Sequence, residues 1–597
     1  MTGTVADALV ARLQAWGVSR VFGYPGDGIN GVMGALRRAG GRPELVQARH
    51  EEMTAFMASG HARYTGEVGV CLSTQGPGAV HLLTGLYDAK LDHVPVVAVI
   101  GQQSSSVLGS AYQQELDLRA LFGDVAAQFI GEVRAPEQAL LVLDRALRVA
   151  LATRSPTCVI VPHDLQSADA VDELPHAHGV LGSSVGHRPP VVVPHDDDLR
   201  AAAAVLSVGE RVAILVGQGA RHAVDEVIEV AEVLGAGVAT SLMGKPVLGD
   251  DLTFATGCLG HLGTTASDEL MQRCDTLLTI GSNDPWTEFY PPPGAARAVQ
   301  IDLDGRNLGL RYPNEVDLIG DAATTLRALL PLLERRADRR WRHQVEASVQ
   351  RWWTIVERRA MAPAEPVNPQ RVLWELSPRL PDDVLLAVDV GSVTYWYARC
   401  LKLRPGTPAH LSSTLASMGS AVPFGIAAKL AYPDRPVVAL AGDGAMQMNG
   451  NAELVTVAHR WRGWADPRFV VLVLRNDDLN EVTWEQRETE GDPRYAASQD
   501  LPAFDYAGYA ELLGLRGIRV DAPDAIGPAW DEALSADRPT LIEAVVDPAV
   551  PLLAPRLEAD TVAQMEAALR AEGPDGERAL AALTRERADQ GDGPMAD

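Results

Sequence analysis

Between Pro436 and Asn480 the chain reads PVVALAGDGAMQMNGNAELVTVAHRWRGWADPRFVVLVLRNDDLN, and this stretch narrows the possible architecture more than any other. The apolar run Val437 to Leu440 ends in Gly442-Asp443-Gly444. A segment with Leu454, Val457, Ala458 and Trp461 on one helical face follows, and a second apolar run, Phe469 to Leu474, ends in Asn476-Asp477-Asp478. Strand, turn, helix, strand places both acidic turns at the carboxyl ends of neighbouring parallel strands, where open α/β sheets hold their ligands. Asp443 and Asp477 can then face one ion. Two carboxylates beside glycines, which let backbone come close, suit Mg²⁺ holding a diphosphate. A lone Gly-Asp-Gly is a turn; the paired second turn is what argues for a site.

The same alternation runs through the rest of the chain. In residues 1–172, Thr4 and Asp7 form a capping box ahead of Leu9, Leu13 and Trp16, and apolar runs at Val21-Phe22, Leu45-Val46, Val68 to Leu72, Val94 to Ile100 and Val159 to Val161 alternate with helical stretches. An irregular Gly/Ser/Pro/His segment at 173–194 reads as a linker. A second unit, 195–333, has Val212 to Val216 leading into Gly217-Gln218-Gly219, then a helix from about 222 to 234, and later runs at Thr276 to Gly281 and Val299 to Asp302. Gly-Gln-Gly alone does not complete a dinucleotide fingerprint. Residues 334–368 are expected to be a surface connecting helix with a solvated basic face, followed by a Pro-rich linker. A third unit spans 369–550, and the tail 551–597 carries a helix near 559–571 and ends in GDGPMAD, which reads as disordered. The fold class is therefore α/β, with three doubly wound parallel-sheet domains.

A net charge of −26 argues against nucleic acid and anionic membrane surfaces as partners. The five cysteines are widely spaced in or beside apolar runs, as buried reduced thiols of a cytoplasmic protein would be, and no CxxC or Cys/His cluster suggests zinc. No leader pattern opens the chain, and no apolar run is long enough for an integral membrane segment.

Gly-Asp-Gly, a helix, then RNDDLN after a strand resembles the metal and diphosphate motif of thiamine diphosphate (ThDP) enzymes. By that resemblance Asp443, Asp477 and the Leu479 carbonyl hold Mg²⁺, with Asp477 where the family has Asn, and Gly442, Gly444 and Ala445 meet the diphosphate. RHEEMTAFMA resembles the segment whose first Glu hydrogen-bonds the aminopyrimidine ring and stabilises its reactive tautomer, which makes Glu51 the first catalytic candidate. Tyr24, Pro25 and Gly26 follow a strand in the same unit and are expected to contact ThDP, and Thr74 to Gly78 resembles the turn beside the coenzyme ring, with His81 read as a packing residue in place of an Asn. Gln114, in Tyr112-Gln113-Gln114-Glu115, matches a Gln that reaches the active site from the partner side. Gln113 replaces a Phe. Gly391 and Ser392 match the segment that approaches the diphosphate, and Met418 matches the residue wedged between the two coenzyme rings. Trp484-Glu485-Gln486-Arg487 is expected to lie over the pocket.

LLTIGSNDPWTEFYP, VQIDLD and LIGDA resemble the FAD-binding middle domain of pyruvate oxidases and acetolactate synthases. The resemblance implies that Gly217, Gln218, Gly219, Ser241, Leu242, Met243, Gly281, Ser282, Asn283, Asp302, Asp321 and Ala322 line FAD. The implied activity is decarboxylation of a 2-oxo acid, with pyruvate first, and electron transfer through FAD to an acceptor such as quinone or oxygen. Acetolactate synthase-like carboligation is the alternative, and a catalytically silent homologue is the second. Glu51 and the metal turns lie in different domains, so the family likeness implies a homodimer or homotetramer with active sites at subunit interfaces.

Overall fold

The computed structural model describes residues 3–171 and 182–590. Part of the expected linker and the terminal GDGPMAD lie outside the described residues. The N-terminal capping box is present: the Asp7 N–H donates to Thr4 Oγ1 at 3.2 Å and the Thr4 N–H to Asp7 Oδ2 at 2.9 Å.

Three six-stranded sheets carry the chain, and every strand pair in them is parallel. The first comprises β1 (Arg20–Gly23), β2 (Glu44–Gln47), β3 (Gly69–Ser73), β4 (Val96–Gln102), β5 (Ile130–Glu132) and β6 (Thr157–Pro162), in the order β2-β1-β3-β4-β6-β5. The second comprises β7 (Val212–Val216), β8 (Gly237–Thr240), β9 (Ala255–Cys258), β10 (Thr276–Ile280), β11 (Arg297–Asp302) and β12 (Val316–Ile319), in the order β12-β11-β10-β7-β8-β9. The third comprises β13 (Leu385–Val388), β14 (Ala409–His410), β15 (Val437–Gly442), β16 (Phe469–Arg475), β17 (Arg516–Val520) and β18 (Thr540–Val545), in the order β14-β13-β15-β16-β18-β17.

The strand order reverses inside each sheet, between β1 and β3, between β7 and β10, and between β13 and β15, and the first and third sheets turn back once more at their β6-β5 and β18-β17 edges. At such a reversal the two outgoing connections diverge to opposite faces and leave a crevice beyond the carboxyl ends of the strands. Those crevices position everything that follows.

The first and third sheets share a core through the Glu51–Thr65 helix, whose residues from Met53 to Tyr64 are all buried, as a helix enclosed on every side must be. It packs on the Ala421–Ala431 helix, with the Phe56 and Phe424 rings edge to face at 5.8 Å. The connecting helix, Arg340–Ala360, corrects an expectation. Arg335 and Arg340 are exposed, but Arg342 turns inward over the Phe254 ring at 3.9 Å and Arg359 is buried against Glu586 and Asp589. All five cysteines are buried and unbridged, and among the described residues no helix is long and apolar enough to cross a membrane.

Candidate active site

At the β13/β15 reversal, Asp443 is buried, and its carboxylate ties the two acidic turns together. Oδ2 accepts the N–H groups of Asn476 at 2.8 Å and Asp477 at 2.7 Å, and Oδ1 accepts that of Gly444 at 2.9 Å. Burial pushes its pKa up to about 6 despite these donors, and none of its hydrogen-bond partners is a cation. A buried carboxylate held by backbone N–H groups and lacking a counter-charge is a setting a divalent cation fits.

The second turn is not arranged as the sequence suggests. Asp477 sits at φ +56°, and its carboxylate closes on Arg475, with Nε at 2.9 Å and Nη2 at 3.1 Å. Arg475 is shared with the buried Glu543 at 2.8 Å. Asn476 next to it has its amide oxygen on the Asp478 N–H at 3.1 Å and no cationic partner. Asp478 is occupied by Thr483, Asn480 and Arg494.

Space for a diphosphate is present. A Cβ on Gly442 would meet nothing within 4 Å, and one on Gly391, at φ +123°, would meet only Glu481 Oε2 at 4.0 Å. Gly391 and Ser392 open the Ser392–Cys400 helix, whose N-terminus follows the carboxyl end of β13. Met418 and Leu479 flank Gly444, at 3.0 and 2.9 Å from the position its Cβ would take. Met418 is half-buried, so it is a crevice wall rather than a core filler. Asp389, which the sequence reading passed over, fixes the two sides: its carboxylate accepts from Val390 at 2.9 Å, Gly419 at 2.8 Å and Ala421 at 3.1 Å, and burial raises its pKa to about 6.

Trp484 does not lie over the opening. It is fully buried, donates to the Pro548 carbonyl at 3.2 Å and stacks beneath Arg487. Glu481, Glu485 and Glu488, at helical i, i+4, i+7 spacing, take the other face, toward Tyr395 and Arg399. Burial raises all three, with Glu481 reaching about 7.

At the β1/β3 reversal, Tyr24, Pro25 and Gly26 leave β1 against Thr74, which stands 2.6 Å from where a Gly26 Cβ would be. Glu51 begins its helix beside the Gly76-Pro77-Gly78 turn, its Oε1 3.2 Å from the Gly78 Cβ position. Gln114, at φ +63°, packs on Gly76 and meets Gln75 Nε2 at 3.3 Å. His81, read as a packing residue, has its Nδ1 2.9 Å from Glu51 Oε2, with the His50 ring 4.4 Å beyond. A titratable ring one helical turn after a glycine turn is the signal that could have placed it here. Among the described residues no hydrogen bond joins Glu51 to Gly442–Ala445. The start of its helix meets the third unit elsewhere, through Arg49 N to Glu453 at 2.7 Å and Asn449 to Glu52 at 3.1 Å.

At the β7/β10 reversal the turns Gly217–Gly219 and Gly281–Asn283 interlock. Gly219 N donates to Gly281 O at 3.0 Å, and a Cβ on Gly281 would sit 2.6 Å from Gly219 Cα. Ser241 caps the Leu242–Val247 turn that carries Met243, Asp321 caps the helix begun by Ala322, and Asn283 accepts from Arg311. Asp302 ends β11, raised by burial and held by the Asp304 N–H at 2.8 Å. Two groups lack counterparts. Among the described residues the Ser282 hydroxyl is buried without a partner, and the exposed Arg221 guanidinium bonds only Gln218. An unpaired guanidinium at a glycine turn fits the pyrophosphate of a dinucleotide.

Three parallel sheets with ligand crevices at their reversals, one holding paired acidic turns, define an α/β coenzyme-binding protein. The chain belongs to the thiamine pyrophosphate enzyme family, in the group that takes in pyruvate oxidases and acetolactate synthases. Its N-terminal TPP binding domain matches at residues 3–121, its central domain at 199–329 and its C-terminal TPP binding domain at 389–544. A Bacillus subtilis (strain 168) protein named "Putative thiamine pyrophosphate-containing protein YdaP" is 35% identical over 92% of each chain. Pyruvate oxidase of Lactiplantibacillus plantarum is 29% identical over 96% of this chain and 93% of its own. Acetolactate synthase isozyme 2 large subunit of Escherichia coli is 31% identical over 91% and 95%.

Proposed function

We propose that the chain is a ThDP- and Mg²⁺-dependent enzyme that decarboxylates a 2-oxo acid, pyruvate first, and passes the electrons through FAD to an acceptor such as quinone or oxygen. The observation that carries this reading is the buried Asp443 carboxylate bridging two strand ends beside open glycines. When bound, ThDP supplies the electron sink that lets CO₂ leave.

The chain's own residues do the rest. Asp443 and the amide oxygen of Asn476 hold the cation, in place of the Asp477 carboxylate that Arg475 occupies. Leu479 sits beside them as a backbone ligand. Gly391, Ser392, Gly442, Gly444 and Ala445 receive the diphosphate, and Met418 props the coenzyme rings. Glu51, hydrogen-bonded to His81, exchanges a proton with the pyrimidine, and Thr74, Gly78 and Gln114 complete that wall. The pyrimidine wall of one copy faces the metal crevice of another in a homodimer or tetramer. The β7/β10 crevice takes FAD, with Arg221 at its pyrophosphate.

The alignment with pyruvate oxidase supports oxidation, because 96% of the chain extends past residue 550 and takes in part of the tail. The acetolactate synthase relatives support carboligation as the second reading. Purified protein with ThDP, Mg²⁺ and pyruvate, followed for dye reduction and for acetolactate, separates them. Dye reduction without acetolactate is expected; acetolactate alone establishes the second reading, and neither product removes pyruvate as the substrate.

A further inference from the structure

A cavity of about 490 Å³ shares no lining residue with the sites assigned at the three crevices, and nothing in the proposed reaction uses it. Its walls are the loop after the Ser392–Cys400 helix, the stretch from Trp374 to Pro381, Met361 at the end of the connecting helix, and Asp251 of the second unit. That volume suits a small organic ligand. The frame is fixed without one: Leu403 N donates to Asp250 Oδ2 at 2.8 Å, Asp250 holds Lys245 Nζ at 3.0 Å, and Gly406 N donates to Pro246 O at 2.9 Å.

The cations around it differ in how they are used. Arg379 is committed to Asp531 at 2.9 Å and the Glu375 carbonyl at 2.8 Å, and Arg404 to Asp382 at 3.0 Å and the Leu380 carbonyl. Lys402 has no such partner. Its ammonium lies 4.3 Å from the Trp353 ring centre and 5.3 Å from that of Trp374, and among the described residues no carboxylate comes within 4.0 Å of it. Two indole faces steady an ammonium but leave its N–H donors without acceptors. Two carboxylates line the cavity: Asp251, exposed to water at the rim, and Glu375, which is neutralised by Arg371 at 2.7 Å. Leu380, Pro381 and Leu403 supply apolar wall beside Trp374.

We propose that this cavity binds a small organic anion with a flat apolar body, of the class of aromatic carboxylates and sulfonates, its anionic group on Lys402 and its ring against Trp374. Gly391 stands at the opposite end of the Ser392–Cys400 helix, about 14 Å away at 1.5 Å per residue, so this ligand does not enter the coenzyme crevice.

Calorimetric titration of the full-length protein with naphthalene-1-sulfonate and with 1-naphthol tests the assignment. The sulfonate is expected to bind saturably and at least about tenfold more tightly than the naphthol, which is about 1.4 kcal/mol. Lys402→Met is expected to bring the sulfonate down to the naphthol level, and Lys402→Arg to retain it. Equal affinity for the two probes, absence of saturable binding, or a Lys402→Met protein that binds the sulfonate like the parent overturns the proposal. Should Lys402→Met not fold, Met361→Trp serves. Met361 is 47% exposed at the cavity mouth, and undiminished sulfonate binding to that variant also overturns the proposal.

Discussion

Arg475 decides which residue of the second acidic turn faces the metal position. It pairs with Asp477 on one side and the buried Glu543 on the other, and freeing the Asp477 carboxylate would break both of its charge-assisted hydrogen bonds to the guanidinium. Asp477→Asn is therefore expected to change Mg²⁺-dependent ThDP affinity by less than about threefold, whereas Asn476→Ala lowers it by about 10- to 100-fold, the usual range when a metal site loses a ligand or its support. Titration of ThDP quenching at fixed Mg²⁺ reads both, and the reverse order would return the role to Asp477. Residue types alone marked this turn as acidic and ligand-bearing. They did not show which side chain points inward, because that follows from the left-handed φ of Asp477 and from an arginine whose partner lies on another strand. Glu51 poses a simpler question. Glu51→Gln keeps shape and a hydrogen-bonding group toward His81 but removes the exchangeable proton. Turnover should fall by about 10²–10⁴-fold with ThDP affinity little changed. A variant that retains full turnover would falsify its catalytic role.

Among the elements, most interior strands were legible and most edges were not, although the edge strand β2 stood out through Leu45-Val46 and the interior β18 did not. β3, β4, β6, β7, β10, β15 and β16 have a parallel neighbour on either side and helices over both faces, so their apolar runs stand out in the sequence. β5, β9, β12, β14 and β17 are edge or near-edge strands with short or partly exposed faces, such as the exposed-to-half-buried pattern of β17, and the sequence carries no comparable run there. The stretch between the acidic turns has a packing role of its own. Trp464 and Asp466 fold back over Lys429, a fully buried lysine in the Ala421–Ala431 helix that donates to the Arg435 and Arg468 carbonyls. Burial depresses its pKa from 10.5 to about 8. Between those values the unfolded chain binds the proton more tightly than the fold does, so stability rises with pH across that window. Lys429→Met abolishes this slope. The melting temperature of the parent relative to the variant should therefore increase from pH 8 to pH 10, and a difference that stays flat would show that the ammonium is not desolvated in the fold.

At the scale of the whole molecule, the arrangement of the three crevices bears on assembly. The helix that begins with Glu51 docks its length on the third unit of its own chain, and its first turn is anchored there by Glu453 and Asn449 rather than by the Gly442–Ala445 turn. A coenzyme gripped by Asp443 must nevertheless meet a carboxylate with its pyrimidine, and in the proposed oligomer that carboxylate comes from a second copy. Two inactive variants then complement each other. When Glu51→Gln and Asp443→Asn chains are co-expressed or mixed under conditions that allow exchange, half of the dimers are mixed by random assortment. Each mixed dimer has one site carrying both substitutions and one site carrying neither, so about a quarter of all sites regain the full set of groups. Turnover should recover to about that fraction of the parent, from two proteins that are each inactive alone. If Glu51 served the Asp443 of its own chain, every site in the mixture would carry one lesion and no activity would return. Absence of recovery, with exchange verified by mass, would place the whole active site within one chain and require the first and third units to close on each other.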